Sequence, residues 1–357
     1  MDFTFTPEQQ ELRRAIRELA ADRSTPAHVR RVMDAGSVMD DELWRILARD
    51  MGLLGLGVGD ERGGAGGSFV DAAVVIEEAG RALMPAPLLP TLVAAQVVAA
   101  APAGPADEML AGITSGEAPA AVAVATGPVT GGGIGFGSRA AALTGRVEHV
   151  LDGGCAQVLV VAAAEGLWLV RTEGDGVDVR AVGTVDPTRG QATVRFDRAA
   201  AVPLGDAPAA DRAVDVLRVG LAVESVGVAR QALEMTVGYL RTREQFGRTI
   251  GSFQALQHRA AELAVEVEAA TSTAYYAAWA TADAPDELPV VAPLALSVCA
   301  EAAWHVAAET IQLHGGIGFT WEHDAHLYFK RAATTRLVLG DAPAQRRLVA
   351  TRAHLAM

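Results

Sequence analysis

Apolar residues in the first third of the chain recur at helical spacing, and the runs follow helix-start signals. Leu12, Ile16 and Leu19 share one helical face after Thr6-Pro7-Glu8-Gln9, a sequence typical of a capped helix N-terminus. The same pattern predicts helices around Asp40–Met51, from Ser68 onward and over Leu88–Ala101. Residues 1–116 are therefore expected to form an all-α domain.

The hydrophobic period changes at about residue 117, where short β-branched runs alternate with Gly or Asp turns. The predicted strands cover Ala120–Ala125, Ala141–Val150, Gln157–Ala163, Leu167–Arg171 and Thr193–Phe196. Short strands joined in this way favour a small antiparallel barrel or sandwich. Residues 117–205 are expected to form a middle β-domain.

Helical spacing returns from about Asp211 to the end of the chain. The predicted helices cover Val216–Tyr239, Gln254 to about Ala282, and Leu294–His314, with a loop over Pro285–Pro293. No internal repeat or low-complexity linker separates the three parts. The sequence thus predicts an α+β fold with a third, α-helical domain over residues 206–357.

The amino-acid composition indicates which binding partners and which cellular location to expect for the protein. Half of the 357 residues are hydrophobic, which is enough for a large core. Thirty basic and 43 acidic residues give a net charge of −13, so neither nucleic acid nor an anionic membrane is an expected partner. The N-terminus predicts a charged helix and no apolar run looks long enough to cross a bilayer, so we expect a cytoplasmic protein. Cys155 and Cys299 fit no metal or redox spacing.

Two patterns invite a phosphate-loop or a metal-site interpretation, and neither is complete. The run Gly63–Gly67 follows no strand pattern and lacks a closing Gly-Lys-Ser/Thr. His323 and His326 are three residues apart in the tract Trp321–His326, but no second pair has ligand spacing. We therefore expect neither a phosphate loop nor a bound metal.

The stretch Tyr239–Gln257 carries polar groups where an amphipathic helix would be apolar. Arg241, Arg243 and Arg248 surround a Phe-Gly break, which predicts an arginine-rich turn between two helices. Guanidinium groups bind phosphate oxygens well, so the turn is a candidate cradle for a phosphate or pyrophosphate. A solvated interhelical turn is the alternative interpretation.

The order of residues in this stretch resembles a family signature. Tyr-x-x-x-Arg-x-x-Phe-Gly-x-x-Ile-x-x-Phe-Gln is similar to the signature of the acyl-CoA dehydrogenase family. The resemblance implies that Arg243, Phe246 and Gln254 contact the FAD of a neighbouring subunit.

A second motif, from Gln312 to Thr320, reads QLHGGIGFT. A helix that ends in Gly-Gly allows positive φ and close approach of a ligand to the backbone. In the family that the motif resembles, the glutamine and both glycines contact the adenosine end of FAD, which implies Gln312, Gly315 and Gly316. A helix cap followed by a turn would explain the glycines but not the glutamine.

The resemblance covers nearly the whole chain and carries expectations about fold and chemistry. It implies an N-terminal all-α domain, a middle β-domain and a C-terminal four-helix bundle. The family removes an α-proton from an acyl-CoA thioester with a carboxylate, while hydride passes to FAD; an electron-transfer flavoprotein is the expected electron acceptor. Arg218 matches an arginine that the family places near CoA, although a surface charge would explain it equally well.

The loop that faces the flavin in the family is altered here. Thr126 and Pro128 match the family's Thr-Glu-Pro-x-x-Gly-Ser-Asp pattern, but Gly127, Gly132 and Gly133 replace the acid and the Ser-Asp pair. Backbone N–H groups of a glycine run can still bind a phosphate or ring oxygen. Side-chain support for flavin is nevertheless reduced.

The catalytic carboxylate of the family is missing from its expected positions. The usual site falls on Leu339 or Gly340, and the site used by a minority of the family falls on Leu217. Asp341 is the nearest acid, but it is shorter than glutamate and one or two residues late, which turns it by roughly 100–200° on a helix. Glu322 and Glu224 are weaker candidates.

Three interpretations remain open. The first is a base-lacking, cofactor-binding subunit of an α2β2 acyl-CoA dehydrogenase with a glutamate-bearing homologue, as in actinobacterial breakdown of steroid side chains, which the resemblance favours. The second is a self-sufficient homo-oligomeric flavoenzyme that uses Asp341 or another acid. The third is a non-catalytic assembly protein that binds neither flavin nor substrate.

Overall fold

Helices form the N-terminal part of the chain in the computed structural model, which describes residues 4–132 and 141–355. They are α1 (Pro7–Arg23), α2 (Pro26–Asp34), α3 (Asp41–Arg45), α4 (Phe69–Arg81), α5 (Leu88–Ala100) and α6 (Asp107–Thr114). The predicted capping boxes are present at Thr6 and Ser68. Two short helices, α2 and α6, were not predicted, and a π-helical turn over Ile46–Asp50 extends α3.

Helix α5 lies wholly inside the fold. Its residues from Leu88 to Ala95, together with Val97 and Val98, are buried, which explains why the sequence shows no polar face there. Its one hydroxyl is satisfied, because Thr91 Oγ1 donates to the carbonyl of Ala120 at 3.1 Å and accepts from the N–H of the same residue. This exchange ties α5 to the first strand.

The middle part of the chain is a curled seven-stranded sheet with the order β1-β4-β5-β7-β3-β2 and with β6 beside β7. The strands are β1 (Ala120–Val124), β2 (Val129–Gly132), β3 (Ala141–Leu151), β4 (Val158–Ala163), β5 (Gly166–Arg171), β6 (Val177–Val182) and β7 (Gln191–Gly205). The predicted β-domain is confirmed, but its pairing is not purely antiparallel. Strand β1 runs parallel to β4, with Ala120 opposite Val158.

Two strands escaped the sequence prediction. Strand β2 occupies Val129–Gly132 and pairs with β3, where the glycines predicted a loop. Strand β6 alternates half-buried and exposed residues because it lies at the edge beside β7. Strand β7 also extends well beyond the predicted Thr193–Phe196 segment.

The C-terminal part is helical again. Its helices pack into a bundle, and a small hairpin of β8 (Glu244–Gln245) and β9 (Arg248–Thr249) lies between the first and the second of them. They are α7 (Ala207–Thr242), α8 (Gln254–Asp283), α9 (Leu288–His314), α10 (Ala325–Val338) and α11 (Ala342–Arg352). The expected three-part α–β–α architecture is confirmed.

The predicted loop over Pro285–Pro293 is partly wrong, because α9 begins at Leu288 and contains Pro293. A proline inside a helix leaves the carbonyl four residues earlier without its N–H partner. Here that carbonyl belongs to Pro289, and it accepts a hydrogen bond from Arg352 Nη1 at 2.9 Å. A distant arginine thus replaces the missing helical donor.

Helix α9 and the turn after it, Leu288–Phe319, are long and apolar enough to cross a membrane by length and composition. The expectation that no run has this length is therefore wrong. However, 61% of the most apolar window is buried inside the fold, as in a core helix of a globular domain.

A buried group of charges, here called the interdomain ion cluster, joins the middle part of the chain to α7 and α10. Arg331 on α10 donates from Nε to Asp186 Oδ2 at 2.9 Å and from Nη1 to Glu224 Oε1 at 3.0 Å. It also donates to Thr188, and Arg189 pairs with Glu224. Burial alone would raise the pKa of Glu224, but the two arginines hold it below its ordinary value.

Removing one member of this cluster should be costly. We expect Arg331→Met to lower the free energy of unfolding by about 3–5 kcal/mol, because Asp186 and Glu224 would lose a buried counter-charge. The matched control is Arg336→Met on the same helix, whose partly exposed pair with Glu301 should contribute about 1 kcal/mol or less. Urea unfolding measures both values, and equal losses would contradict the assignment.

Asp152 should make stability depend on pH. Burial raises its pKa to about 6 from 3.8, with Arg189 and Arg331 opposing the shift. Between these values the folded state binds more protons than the unfolded state, so stability should fall by about 2 kcal/mol as pH rises from 4 to 6. In Asp152→Asn, the side chain can still accept from the N–H of Gly190, as Oδ1 does at 3.0 Å, and this fall should disappear. An unchanged pH profile in urea unfolding would refute the assignment.

Candidate functional site

The arginine-rich turn is a tight hairpin at the end of α7. Helix α7 ends at Thr242, and Phe246 and Gly247 form the turn between β8 and β9 with φ values of 55° and 73°. Positive φ at both turn positions is what a two-residue hairpin requires. The predicted turn between two helices is therefore present, with two short strands added.

The candidate cofactor-contacting side chains of the hairpin and of the start of α8 point into solvent. Phe246 is 91% exposed, and Arg243 and Gln254 are also exposed. Within the described chain, neither Arg241 nor Arg243 has an ion-pair partner. The turn is braced by Phe253, which Phe246 meets edge-on at 6.1 Å and over which Arg248 stacks at 4.0 Å.

The second motif lies at the end of α9. The helix stops at His314, where Gly315 takes φ 64°, and a 3₁₀ turn continues over Gly315–Phe319. A Cβ added at either Gly315 or Gly316 would meet nothing within 4 Å, so the backbone there is open to a ligand. Gln312 is exposed beside it.

A stack of rings brings the two motifs together. Tyr239, one turn before Arg243, stacks on His314 with ring centroids 4.5 Å apart, and His314 contacts His323 at 4.3 Å. His314 Nδ1 lies 2.7 Å from the carbonyl of Thr310. Burial lowers the pKa of His314, so its ring is neutral at neutral pH. Both motifs therefore occupy one end of the helical bundle.

Large aromatic side chains lie exposed around this end of the bundle. Phe319 is 88% exposed and Trp321 is 71% exposed, with Lys330 Nζ 4.0 Å above the Trp321 ring. Exposed apolar surface of this kind marks a binding or interaction site. This end of the bundle therefore presents guanidinium groups, amides and accessible glycine backbone. Among the described residues, no side chain encloses these groups in a pocket.

Arg218 is held inside the fold. Its Nη1 donates to Asp215 Oδ1 at 2.7 Å and its Nε donates to Gln345 Oε1 at 3.0 Å. Burial lowers the pKa of Arg218, and Asp215 opposes this effect. The surface-charge interpretation is wrong. A contact with CoA stays a prediction, and it would require a guanidinium that already has two protein partners.

The turn at the expected base position is occupied by an amide. Gln345 Nε2 donates to the carbonyl of Leu339 at 2.6 Å, and Gly340 continues the turn with φ 93°. Asp341 is exposed and caps α11 by accepting from the N–H of Ala344 at 2.9 Å. The carboxylate is thus directed at its own helix.

The two other acids that were candidates for the catalytic base, Glu224 and Glu322, are also poorly placed for proton transfer. Glu224 is paired with Arg189 and Arg331 in the interdomain ion cluster. Glu322 is exposed in the tract before α10. Neither lies unpaired in a dry pocket, which is the environment a catalytic carboxylate needs.

The loop that faces the flavin in the family has few free hydrogen-bonding groups here, in the part that the structure describes. Val129–Gly132 is committed to strand β2, and the N–H of Gly131 donates to Glu165 Oε2 at 3.3 Å. A Cβ at Gly131 would lie 2.7 Å from the Trp168 ring, so this glycine is required for packing. Gly133 lies outside the described residues.

The glycine-rich run Gly63–Gly67 is also internally satisfied. The N–H of Ala65 donates to Gly55 at 2.8 Å and that of Gly66 donates to Val58 at 2.8 Å. These donors cannot cradle a phosphate. In the tract near His323, Nδ1 accepts from the N–H of Ala325. Within residues 4–132 and 141–355, no three His, Cys, Asp or Glu side chains converge on a possible metal site.

Comparison with known proteins defines the family. The family model described as "Acyl-CoA dehydrogenase, N-terminal domain" matches residues 6–117, and "Acyl-CoA dehydrogenase, C-terminal domain" matches residues 207–354. The chain is 38% identical over 325 residues to acyl-CoA dehydrogenase IpdE2 of Mycobacterium tuberculosis, covering 91% of each.

Solved structures agree with this assignment. The ChsE4-ChsE5 complex from Mycobacterium tuberculosis contains a chain with TM-score 0.90 and 29% identity, covering 100% of both chains. The Tcur3481-Tcur3483 steroid ACAD G363A variant gives TM-score 0.86 and 30% identity, covering 97% of this chain and 98% of that one. The chain therefore belongs to the acyl-CoA dehydrogenase family of oxidoreductases, and the family resemblance predicted from sequence is confirmed.

The capping role of Asp341 can be measured. We expect Asp341→Ala to lower the free energy of unfolding by about 1 kcal/mol, because the N–H of Ala344 loses its acceptor. Asp341→Asn keeps an acceptor and should be close to neutral in the same urea titration. Equal loss in both variants would show that the negative charge, rather than the cap, stabilises the turn.

Proposed function

We propose that this chain is the base-lacking subunit of a heteromeric acyl-CoA dehydrogenase and completes the FAD site of a glutamate-bearing homologue. The observation that carries the proposal is the exposure of both family motifs at one end of the bundle. The side chains that would enclose a cofactor are exposed to solvent here. The expected base position is Leu339 or Gly340, and neither residue is an acid.

The residues of the open end fit the phosphate and adenosine half of FAD. Arg243 offers an unpaired guanidinium for a phosphate oxygen, and Phe246 offers an exposed ring. Gln254 and Gln312 offer amides, and Gly315-Gly316 offers backbone that a ligand can approach closely. When bound, FAD supplies a hydride acceptor for the dehydrogenation.

The flavin half of the cofactor would belong mainly to the partner subunit. Strand β2 has already used the N–H of Gly131, and the acids of the family loop are absent. The partner must also supply the carboxylate that removes the α-proton of the thioester. In this division of labour, the present chain binds and orients the cofactor, and its partner carries out the proton transfer.

The similar proteins narrow the substrate class. One similar structure is a complex of two different chains, and another is called a steroid ACAD. We therefore propose an α2β2 complex that acts on a bulky, steroid-type acyl-CoA thioester in the cytoplasm. An electron-transfer flavoprotein would accept the electrons, as the family resemblance implies.

The cofactor role predicts a specific loss. In the complex with the glutamate-bearing homologue, Arg243→Ala should weaken FAD binding roughly 10- to 100-fold, because one charge-assisted hydrogen bond to phosphate contributes about 1.5–3 kcal/mol. Flavin absorbance per complex after gel filtration measures the occupancy. Arg346→Ala is the matched control, since Arg346 is also exposed but lies on α11, outside both motifs.

Unchanged flavin occupancy in Arg243→Ala would refute the cofactor role. The self-sufficient alternative is tested separately with the chain alone, by anaerobic flavin spectra with a panel of acyl-CoA thioesters. Bleaching that Asp341→Asn abolishes would favour that alternative. We expect no bleaching until the glutamate-bearing partner is added.

A further inference from the structure

A cavity of about 670 Å³ lies where all three parts of the chain meet, and none of the roles above uses it. Its walls come from the Gly57–Ser68 loop, the end of α5, strands β5 and β7, the start of α7 and the end of α8. This volume is in the range of small-molecule sites.

The cavity is separate from the candidate cofactor end. Its wall on α7 includes Arg212 and Val216, whereas the arginine motif follows the last residue of that helix, Thr242. At 1.5 Å per residue, the two places are roughly 40 Å apart along the helix. A ligand here would not touch the groups assigned to FAD.

The apolar part of the wall is continuous. Phe69 and Val97 come from the N-terminal helices, Leu167 and Leu204 from the sheet, and Val216 from α7. These side chains come from elements that are fixed in the core, so the wall is preformed. It suits a flexible or flat hydrocarbon body.

Two arginines line the same cavity with hydrogen-bonding capacity to spare. The Nε of Arg62 is buried and has no hydrogen-bond partner among the residues that the structure describes, although its Nη groups bind Asp107 and the carbonyls of Ala99 and Ala101. Arg212 donates only to the carbonyl of Thr281, at 2.8 Å, and forms no ion pair within the described chain. An unpaired buried donor is costly and favours an acceptor in the cavity.

The acidic residues of the cavity lining are exposed, and its basic residues are partly buried. Glu61 and Asp283, the two acids of the lining, are exposed, while Arg62 and Arg212 are half-buried. A ligand that enters past the acidic rim would therefore meet the two guanidinium groups deeper in the site. Planar guanidinium groups bind a carboxylate with two parallel hydrogen bonds.

We propose that this cavity binds an apolar carboxylic acid, with its hydrocarbon body against the Phe69–Val97–Leu204 wall and its carboxylate at Arg62 and Arg212. The site is a second ligand site, independent of the proposed cofactor role.

A head-group series tests the proposal on the full chain by isothermal titration calorimetry. The probes are decanoate, 1-decanol and decylamine, each below its critical micelle concentration. Decanoate should bind about 10-fold more tightly than decanol, and decylamine should bind least. Equal binding of decanoate and decanol, tightest binding of decylamine, or no binding of any probe would each overturn the proposal.

Variants separate the head-group contact from the cavity. Arg212→Gln should weaken decanoate about 10-fold and leave decanol unchanged, and it spares the structural bonds of Arg62. Ala99→Phe should block both probes by filling the wall, with Ala209→Phe as a second filling variant in case the first unfolds. Ala111→Phe, on an exposed face of α6 outside the lining, is the matched control. Loss of binding in the control, or unchanged decanoate binding in the Arg212 and both filling variants, would refute the site.

Discussion

The buried ion pairs of Arg331 hold α10 against α7 and against the middle part of the chain. The Arg331 side chain joins Asp186 of the middle part to Glu224 of α7 in a buried cluster. The segment just before α10 contains the second family motif, Gln312–Thr320, and the turn just after it is the expected base position. Because the desolvation of these charges is offset only when all partners are present, the cluster forms only when the middle part is docked against α7 and α10. The motif and the turn therefore depend on interdomain packing.

At the end of the bundle that carries the two motifs, the helices are well packed but the motifs themselves are exposed. The core of α7 and α9 is closed, with small residues in close contact and Tyr239 stacked on His314. The two motifs at their ends remain exposed, because no residue among 4–132 and 141–355 covers Phe246 or Phe319. The net charge of −13 does not decide what binds there. The unpaired guanidinium groups of Arg241 and Arg243 create a local positive field despite that charge.

Sequence predicted the helix–sheet–helix order and both motifs, because these features depend on local period and on fixed spacing. It failed where distant partners decide the local structure. Pro293 predicted a loop. The helix continues through this proline because Arg352 donates to the carbonyl that the proline leaves without a partner. The glycines of Val129–Gly132 marked a loop, but pairing with β3 and close packing on Trp168 make a strand. Arg218 could have been a surface charge, and only the fold reveals Asp215 and Gln345 beside it.

The turn at Leu339–Asp341, where the family resemblance predicts a catalytic glutamate, is held by contacts within the chain. In relatives with a glutamate here, as the family resemblance implies, the side chain must stay unpaired to accept a proton. In this chain Gln345 binds the carbonyl of Leu339, Arg218 binds Gln345, and Asp341 caps the next helix. Each contact satisfies a backbone or side-chain polar group, so the turn is stabilised where catalysis would require an unpaired carboxylate. Under the proposed function this position needs no proton acceptor, and Gln345 instead links the turn at Leu339 and the start of α11 to Arg218 of α7.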